Sequence, residues 1–358
     1  MKKLVSKIKI DKNVLLKTFF LILLSILLIF FLINHTYLQF LANGFNQIAK
    51  ADLQVYFFDV GQASSSLIIF PNDCSMLIDT GSKDSRNELL SQLDVALSEN
   101  GLKKIDFLLL THSDADHTGG VKSVLDKYQV DNIYRPKLTS DSSLENEIDF
   151  KRVETLTYAE AISSIMSEPN CEVSCVEKRF IDFGDAFVSI YPGEKEKYSE
   201  TNAYSPFVTV SFENKTFLFT GDVTQEREEE FLDDIEMLNL QIDFLSVSHH
   251  GSKYSSSERF LEAISPKYSF VSAGDKTHPS NEVLHRLKGV GVEEVFCTKT
   301  QGMLAVGIFD DGDFKIKMET NYIDLPFIIV LLFCGCFAVL KIDFYNLKYY
   351  NRKYFKHF

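Results

Sequence analysis

The residues best suited to chemistry stand in one short segment, Thr111 to Gly120, with the sequence THSDADHTGG. Within six positions it holds four potential metal ligands, which are His112, Asp114, Asp116 and His117. The segment follows the apolar run FLLL, and unpaired carboxylates at a buried strand end are costly without a cation. A solvated turn is the alternative. We predict that His112 and Asp114 face one divalent ion and that Asp116 and His117 face another.

Two later segments offer further ligands. Asp222 ends the run TFLFTGD, where Gly221 lets the chain turn sharply. We predict that Asp222 bridges the two ions, although a helix N-cap is the competing interpretation. The run DFLSVSHHGS ends in His249 and His250, of which we assign His250 to the second metal and His249 to a catalytic or substrate-contacting role. Two ions about 3.5–4 Å apart can stabilise both the entering and the leaving oxygen.

Three more residues are candidates for contact with substrate or for proton transfer. His278 precedes Pro279 after the run YSFVSAG and is a candidate general acid, substrate contact or ligand, against an exposed loop histidine. Ser252 and Lys253 follow the histidine pair as candidate substrate contacts. Lys253 either helps to neutralise a phosphate or is a solvated loop lysine. Because the ligand set has carboxylates and no thiolate, zinc and manganese both fit.

The elements that must position these residues alternate between short apolar runs and helical patterns. Strand candidates rich in Val, Ile and Phe precede each ligand segment, which favours an α/β layered domain. Loops at strand ends converge on one edge of a sheet and can carry a site on a rigid support. The predicted helices lie near Arg86–Ser98, Gln225–Leu238, Ser256–Ile264 and Asn281–Lys288.

Both ends of the chain predict membrane anchoring. Residues 13–34 and 323–341 contain long apolar runs without a polar face, and we predict that both are transmembrane helices. Residues 1–12 and 342–358 are basic and should be cytoplasmic. Residues 45–320 would then form an extracytoplasmic hydrolase domain held at the cell membrane, with the lipid bilayer as a partner. A cleaved signal peptide competes for the first run, but Ala49-Lys50-Ala51 lies too far beyond it.

Charge and cysteine content narrow the function. The chain has a net charge of −13 while both of its ends are basic, so the segment between them is still more acidic. Such a field disfavours nonspecific binding of polyanions unless metals or a local basic patch override it. Cys171 and Cys175 flank EVS, and a local disulfide between them and two free thiols remain open alternatives.

Together these motifs resemble the metallo-β-lactamase superfamily, and specifically the extracellular hydrolase domain of the ComEC competence proteins. The resemblance implies a four-layer αββα sandwich with two divalent ions, here flanked by two transmembrane helices. It also implies that Asp59, Asp79 and Gly81 support the site structurally. The motifs that carry it are FDVGQ (58–62), LIDTG (77–81), THSDADHTGG, the 202–210 segment, FLFTGD, SVSHHGS and His278-Pro279.

The chain also departs from that family. Asp114 stands where the superfamily usually has histidine, as in a common ComEC variant. The isolated middle histidine ligand is absent, which leaves Asn202 and Ser205 as candidates near the first metal and the substrate. After Gln62, Ala63 and Ser64 stand where the ComEC group typically has Gly and Asp. The many-span channel of the ComEC proteins is also missing.

The expected function is hydrolysis of a phosphodiester outside the membrane, with a metal-bound hydroxide as nucleophile and Asp116 orienting it. DNA is the substrate that the resemblance suggests. A choline-bearing or teichoic-type envelope phosphodiester suits the acidity better, and a noncatalytic metal-stabilised module is the rival from another class. Hydrolysis of β-lactams is disfavoured by Asp114 and by the HHGS segment. The sequence indicates no particular protein partner.

Overall fold

The computed structural model describes Ser25 and residues 48–136, 156–195, 198, 200–238, 241–274 and 277–318. Apart from Ser25, the predicted transmembrane segments 13–34 and 323–341 and the two basic ends lie outside the described residues. Among the helices that the structure does describe, none combines the length and the apolar character that a bilayer crossing needs.

The strands of the described residues form two mixed sheets. The strands of the first sheet are β1 Leu53–Phe57, β2 Ser66–Ile69, β3 Ser75–Ile78, β4 Lys104–Leu109, β5 Gln129–Arg135, β6 Glu172–Cys175, β14 Leu304–Ile308 and β15 Phe314–Met318. Those of the second are β7 Arg179–Asp182, β8 Ala186–Tyr191, β9 Phe207–Phe212, β10 Lys215–Phe219, β11 Phe244–Ser246, β12 Tyr268–Val271 and β13 Glu294–Cys297. The eight strands of the first sheet lie in the order β15-β14-β1-β2-β3-β4-β5-β6, and the seven of the second lie in the order β13-β12-β11-β10-β9-β8-β7.

Helices cover the outer face of each sheet. The helices are α1 Arg86–Glu99, α2 Ala115–Thr118, α3 Val121–Leu125, α4 Leu156–Ser167, α5 Gln225–Leu238, α6 Glu258–Ile264, α7 Asn281–Gly289 and α8 Thr298–Gln301. One apolar cluster joins α1, α3 and α4 to the first sheet, and another joins α5, α6 and α7 to the second. A third cluster, rich in Phe, fills the space between the two sheets. The described residues therefore form the predicted αββα layers.

Parallel pairing sets the position of the functional loops. In the first sheet β3 runs parallel to β4, with Leu77 beside Leu108. In the second, β10, β11 and β12 are mutually parallel. The carboxyl ends of parallel strands meet at the same edge of a sheet, so the loops that follow these strands gather at one edge of each sheet. The sequence places its ligand residues in those loops.

Several elements differ from the sequence prediction. The helix expected from Ser256 begins at Glu258, because the Ser257 hydroxyl accepts a hydrogen bond from Phe260 N and caps it. Strands β5, β6, β7 and β15 and helix α4 were not predicted. Cys171 and Cys175 are free thiols. Strand β6 keeps the chain extended between them, about 13 Å over four residues, which is too far for a disulfide.

Candidate metal centre

A buried carboxylate after β3 supports the histidine motif after β4. Asp79 Oδ1 accepts a hydrogen bond from Thr111 N at 2.8 Å, and its Oδ2 accepts one from Thr111 Oγ1 at 2.8 Å. The same Oδ2 lies 2.7 Å from His117 Nδ1. A carboxylate on one ring nitrogen directs the other nitrogen towards a ligand and makes it more basic. Asp79 thus turns His117 Nε2 into the site, in the supporting role predicted for it.

Four side chains converge on one point. Asp116, His117, Asp222 and His250 each present one ligand atom, and these atoms all lie within 4.8 Å of one another. His117 Nε2 is 3.1 Å from Asp222 Oδ1, and His250 Nε2 is 3.2 Å from Asp116 Oδ2. The His250 ring is oriented from behind by Ser272 O, 2.7 Å from its Nδ1. Two imidazoles and two carboxylates at such spacing form a donor set for a divalent transition metal.

Buried imidazole nitrogen atoms support this fit. Nε2 of His112 is buried and has no hydrogen-bond partner among the described residues, and Nε2 of His117, also buried, has only the Asp222 carboxylate 3.1 Å away. An unsatisfied buried polar atom costs about 1–3 kcal/mol, so native proteins rarely leave one without a reason. Both atoms face the Asp222 carboxylate. A cation beside Asp222 would satisfy both atoms at once.

The electrostatics of the cluster are those of a cation site. Burial lowers the pKa of His112 to about 4, and the neighbouring His117 adds to that effect. Burial opposes ionisation of Asp222 as well, but the charges of His117 and His250 hold its pKa well below the usual range. For Asp116 burial raises the pKa, but the hydrogen bond with His250 and the charges of His117 and His250 together outweigh it, and the pKa falls to about 2. Neutral His112 and ionised Asp222 and Asp116 are in the protonation states that bind metal, whereas the neighbouring carboxylates raise the pKa of His117 and of His250, whose protons a metal ion would displace.

A second position beside the first is more open. His112 Nε2 lies 3.8 Å from Asp114 Oδ2 and 3.9 Å from Asp222 Oδ2. Asp114 is a third exposed, and its Oδ1 accepts a hydrogen bond from Thr201 Oγ1 at 2.8 Å. These residues are the ones predicted for the first ion. Asp222 contacts both positions and so stands where a bridging ligand must stand.

The residues predicted in place of the missing middle histidine support the site rather than complete it. Ser205 Oγ accepts a hydrogen bond from Asp222 N at 3.2 Å and lies 3.4 Å from His112 Nδ1. The Asn202 amide nitrogen is 3.4 Å from both ring nitrogens of His249. Ser205 therefore helps to hold two ligand residues, and Asn202 lies against a histidine at the mouth.

The histidine pair adopts a backbone conformation that L-residues rarely occupy. His249 and His250 have φ values of 51° and 54°, in the left-handed region. Such residues cost of order 1–3 kcal/mol each and cluster at functional sites. His250 Nε2 and His249 Nε2 both come to 3.7 Å from Asp222 Oδ2, yet His250 is buried and His249 is about a third exposed. His249 is therefore open to a substrate.

Of the three predicted substrate contacts, His278 lies at the same edge as the cluster, Ser252 is buried and Lys253 is exposed. The ring centroid of His278 lies 6.5 Å from that of His250, and His278 Nδ1 is 2.9 Å from Thr277 Oγ1. Ser252 is buried and lies against the backbone of Tyr254. Lys253 is exposed and its ammonium sits over the Tyr254 ring.

Two glycines and one aspartate shape the loops around the cluster. Gly221 has φ +50°, and a Cβ there would lie 2.9 Å from Thr111 Cβ. Gly81 has φ +66°, and its carbonyl accepts from Gly119 N at 2.9 Å, which ties the β3 loop to the histidine motif. Asp59 Oδ1 accepts from Gly61 N at 3.4 Å and stabilises the preceding loop. Both glycines touch the site loops directly, and Asp59 acts one loop away.

Comparison with known proteins agrees with this geometry. The family model for the metallo-β-lactamase superfamily matches residues 58–275, more than half of the chain. The chain belongs to the metallo-β-lactamase superfamily. The matched span contains the histidine motif, Asp222 and the histidine pair. It ends just before His278.

The chain is also similar to competence proteins. It is 28% identical over 252 residues to ComE operon protein 3 of Bacillus subtilis, covering 66% of this chain and 30% of that protein. It is 27% identical over 269 residues to competence protein ComA of Neisseria gonorrhoeae, covering 74% of this chain and 34% of the relative. The chain thus spans about a third of the length of these relatives. The predicted resemblance to the ComEC group is confirmed.

A solved structure with a metallo-β-lactamase fold also aligns with the chain. The metallo-β-lactamase fold protein YhfI from Bacillus subtilis has 13% sequence identity and a TM-score of 0.43. That alignment covers 70% of this chain and 99% of YhfI.

The structure adds supporting residues that the sequence did not reveal. Thr111 Oγ1 contacts His112, Thr201 Oγ1 contacts Asp114 and Ser272 O contacts His250, but Thr201 and Ser272 lie far from their partners along the chain. Threonine and serine are common loop residues, so type alone carries no signal. Thr111 does stand beside the first ligand of the motif, where a supporting role is a natural inference.

Proposed function

We propose that this chain is a metal-dependent phosphodiesterase of the nuclease type that acts outside the cytoplasmic membrane. The observation that carries the proposal is the convergence of Asp116, His117, Asp222 and His250 on one point, beside the buried Nε2 of His112, which has no hydrogen-bond partner among the described residues. The superfamily membership supports metal-dependent hydrolysis, and the similarity to competence proteins favours nucleic acid as substrate.

Divalent zinc or manganese at these positions would lower the pKa of a bound water to about 7. It would also stabilise the negative charge on the phosphate oxygens during hydrolysis. His117, Asp116, Asp222 and His250 would hold one ion. His112, Asp114 and Asp222 would hold a second, more open one. Two ions are our proposal for the occupancy of the site.

The protein groups have separable tasks in this proposal. Asp116 is fixed by His250 and partly exposed, so it can accept a hydrogen bond from an attacking water. His249 and His278 stand at the mouth, where they can bind the phosphate or return a proton to the leaving oxygen. Burial of Asp222, His112 and His117 excludes bulk water from the floor of the site.

The proposal includes anchoring at the cell membrane through residues 13–34 and 323–341, with the catalytic layers outside. It rests on the apolar runs and on the basic flanks of the sequence. A reporter fused at either terminus should be active on the cytoplasmic side. Protease added to intact spheroplasts should degrade the domain at residues 45–320 and spare the terminal reporters, and complete protection of that domain would contradict this orientation.

The assignment of activity is tested with the full-length protein. Single-stranded DNA, double-stranded DNA and a chromogenic phosphodiester are each incubated with it under zinc and under manganese. Asp116→Asn should reduce turnover at least about 100-fold, because the fixed carboxylate is lost from the reacting centre. The matched control is Asp126→Asn, an exposed carboxylate that pairs with Lys122 of α3, which should leave the rate unchanged.

One alternative substrate has a specific observation in its favour. The strongly acidic composition suits a compact envelope phosphodiester better than a long polyanion. Turnover of a choline phosphodiester with none of DNA would assign the enzyme to that class. An enzymatic role would be contradicted if none of these substrates were turned over in a metal-dependent reaction that Asp116→Asn abolishes.

A further inference from the structure

The loop that leaves the metal centre carries an exposed aromatic ring. Tyr254 follows His250 by four residues and is 69% exposed. The Lys253 ammonium lies 5.1 Å from the centroid of its ring. Single exposed aromatics are common on protein surfaces. This one is unusual in the support that its backbone receives.

An arginine from α7 holds the loop from one side. Arg286 Nη1 donates to Ser255 O at 3.0 Å and to Ser256 O at 2.6 Å, and its Nη2 donates to Lys253 O at 2.8 Å. One planar guanidinium thus binds three backbone carbonyls on the two sides of Tyr254. Charge-assisted hydrogen bonds of this kind are about twice as strong as neutral ones.

A buried carboxylate from α5 holds the loop from the other side. Glu228 is fully buried and accepts hydrogen bonds from Ser256 N and, at 2.9 Å, from Ser257 N. The Ser255 hydroxyl donates to Val223 O at 2.8 Å, one residue past the bridging Asp222. The backbone beneath Tyr254 is therefore fixed to the metal centre, while the ring itself stands in solvent.

The position of the ring suits a substrate that extends beyond the reacting phosphate. Four residues span at most about 14 Å between Cα atoms, and the turn at Ser248–Gly251 shortens that distance. A ring this close can reach a group one or two units along a phosphodiester chain. Aromatic side chains beside cations are the usual means of binding unpaired bases without sequence preference.

We propose that Tyr254 and Lys253 form a stacking subsite for an unpaired base of a single-stranded nucleic acid whose phosphodiester lies at the metal centre. This inference rests on the proposed function and names its substrate class. Lys253 also argues against a choline group on the same ring, because the quaternary ammonium would meet a cation already placed over that face. A base has no charge and can stack on the Tyr254 ring without repelling the Lys253 ammonium. The ammonium can in turn approach the adjoining phosphate.

Binding is measured by fluorescence anisotropy with the full-length chain carrying Asp116→Asn, so that the probe is not consumed. The probes are a labelled single-stranded oligonucleotide and an abasic oligonucleotide of equal length. Adding Tyr254→Ala should raise Kd for the first probe about tenfold and leave Kd for the abasic probe unchanged. Tyr254→Phe keeps the ring and should bind like the parent.

Phe180 supplies a matched control. It is 70% exposed on β7 and contacts Tyr191 rather than the site loops. Phe180→Ala should leave both Kd values unchanged. Equal binding of the base-bearing probe by the parent and Tyr254→Ala would overturn the subsite, and so would a loss that is equal for the abasic probe. The subsite would also be overturned if phosphocholine competed with the oligonucleotide for the parent chain but not for the Tyr254→Ala variant.

Kinetics separate this inference from the proposed function. With Asp116 restored, Tyr254→Ala should raise KM for single-stranded DNA about tenfold, change kcat little and leave the chromogenic phosphodiester unaffected. Base-dependent binding without any hydrolysis would uphold the subsite and contradict the enzyme. Hydrolysis with unchanged KM in Tyr254→Ala would uphold the enzyme and overturn the subsite.

Discussion

At the residue scale, the candidate metal centre depends on a carboxylate that would not itself contact a bound ion. Asp79 receives three hydrogen bonds, two from Thr111 and one from His117 Nδ1. It therefore fixes the tautomer and direction of one ligand and the backbone that leads to the next, His112. A neutral amide at this position would present donors to groups that are themselves donors.

We expect Asp79→Asn to weaken metal affinity about 10- to 100-fold, because His117 loses its anionic partner. Chelator competition measures the affinity. The control is Asp106→Asn at the opposite end of the same strand pair, where the carboxylate accepts from Ser75 and pairs with Lys104. Asp106→Asn should lower stability without changing metal affinity, and equal losses in both variants would contradict the assigned role of Asp79.

Residue type and spacing were sufficient to find the ligands but not their supports. His112, Asp114, Asp116 and His117 are conspicuous because few sequences place four ligands in six positions. Ser205 was expected to stand near the first ion or the substrate, and its hydroxyl accepts a hydrogen bond from Asp222 N beside His112. A hydroxyl can serve in either way, and only the fold decides which.

At the scale of elements, the site depends on loops that follow parallel strands of two different sheets. The loop after β10 passes so close to the loop after β4 that Gly221 has no room for a side chain. Its carbonyl also accepts from His249 N at 3.0 Å, so one glycine aligns Asp222 with the histidine pair.

Gly221→Ala should destabilise the fold by about 2–3 kcal/mol, since it adds a steric clash to an unfavourable φ. Urea unfolding measures the loss. Gly184→Ala is the matched control, because Gly184 has φ +86° and no atom lies within 4 Å of the point that a Cβ would occupy. It should cost only about 1 kcal/mol for the backbone conformation. Equal costs for the two variants would show that the loops are not closely packed at Gly221.

Elements with a strong period were predicted from the sequence and the weaker ones were not. Helix α5 has the predicted bounds, Gln225–Leu238, because Phe231 and Ile235 recur at helical spacing and are buried. Strand β7, Arg179–Asp182, is short and lies at a sheet edge with no buried residue, so no apolar run marks it. Its pairing with β8 supplies what its own sequence does not.

At the scale of the whole molecule, the metal centre joins both sheets. Asp79 and His117 belong to loops of the first sheet, and Asp222 and His250 belong to loops of the second. An ion held by His117, Asp222 and His250 would bind only the folded state. Its binding free energy is therefore added to the stability of the fold.

Removal of metal should lower the melting temperature of the full-length protein. Restoring free ion to 100 times its Kd should return about 2.7 kcal/mol of stability. Differential scanning calorimetry with and without chelator measures the shift. Asp222→Asn removes the group shared by both positions and should show no response to metal. An identical melting temperature with and without metal in the wild-type chain would contradict this coupling.

The layered architecture followed from the alternation of strands and helices together with the family resemblance. The membrane spans and the extracytoplasmic location remain predictions from hydropathy and charge, because those residues lie outside the described part of the chain. For these segments the sequence offers only composition and charge as signals. For the candidate metal centre it offers several independent motifs that indicate the same site.

Elemental analysis of the full-length protein, stripped with chelator and reloaded with zinc or manganese, tests the central claim most directly. The wild-type chain should retain at least one divalent ion after gel filtration, and so should His285→Ala, which removes an exposed helical histidine outside the site. His250→Ala should lose that ion. A wild-type chain that emerges free of metal, or a His250→Ala variant that retains as much as the wild type, would contradict the account.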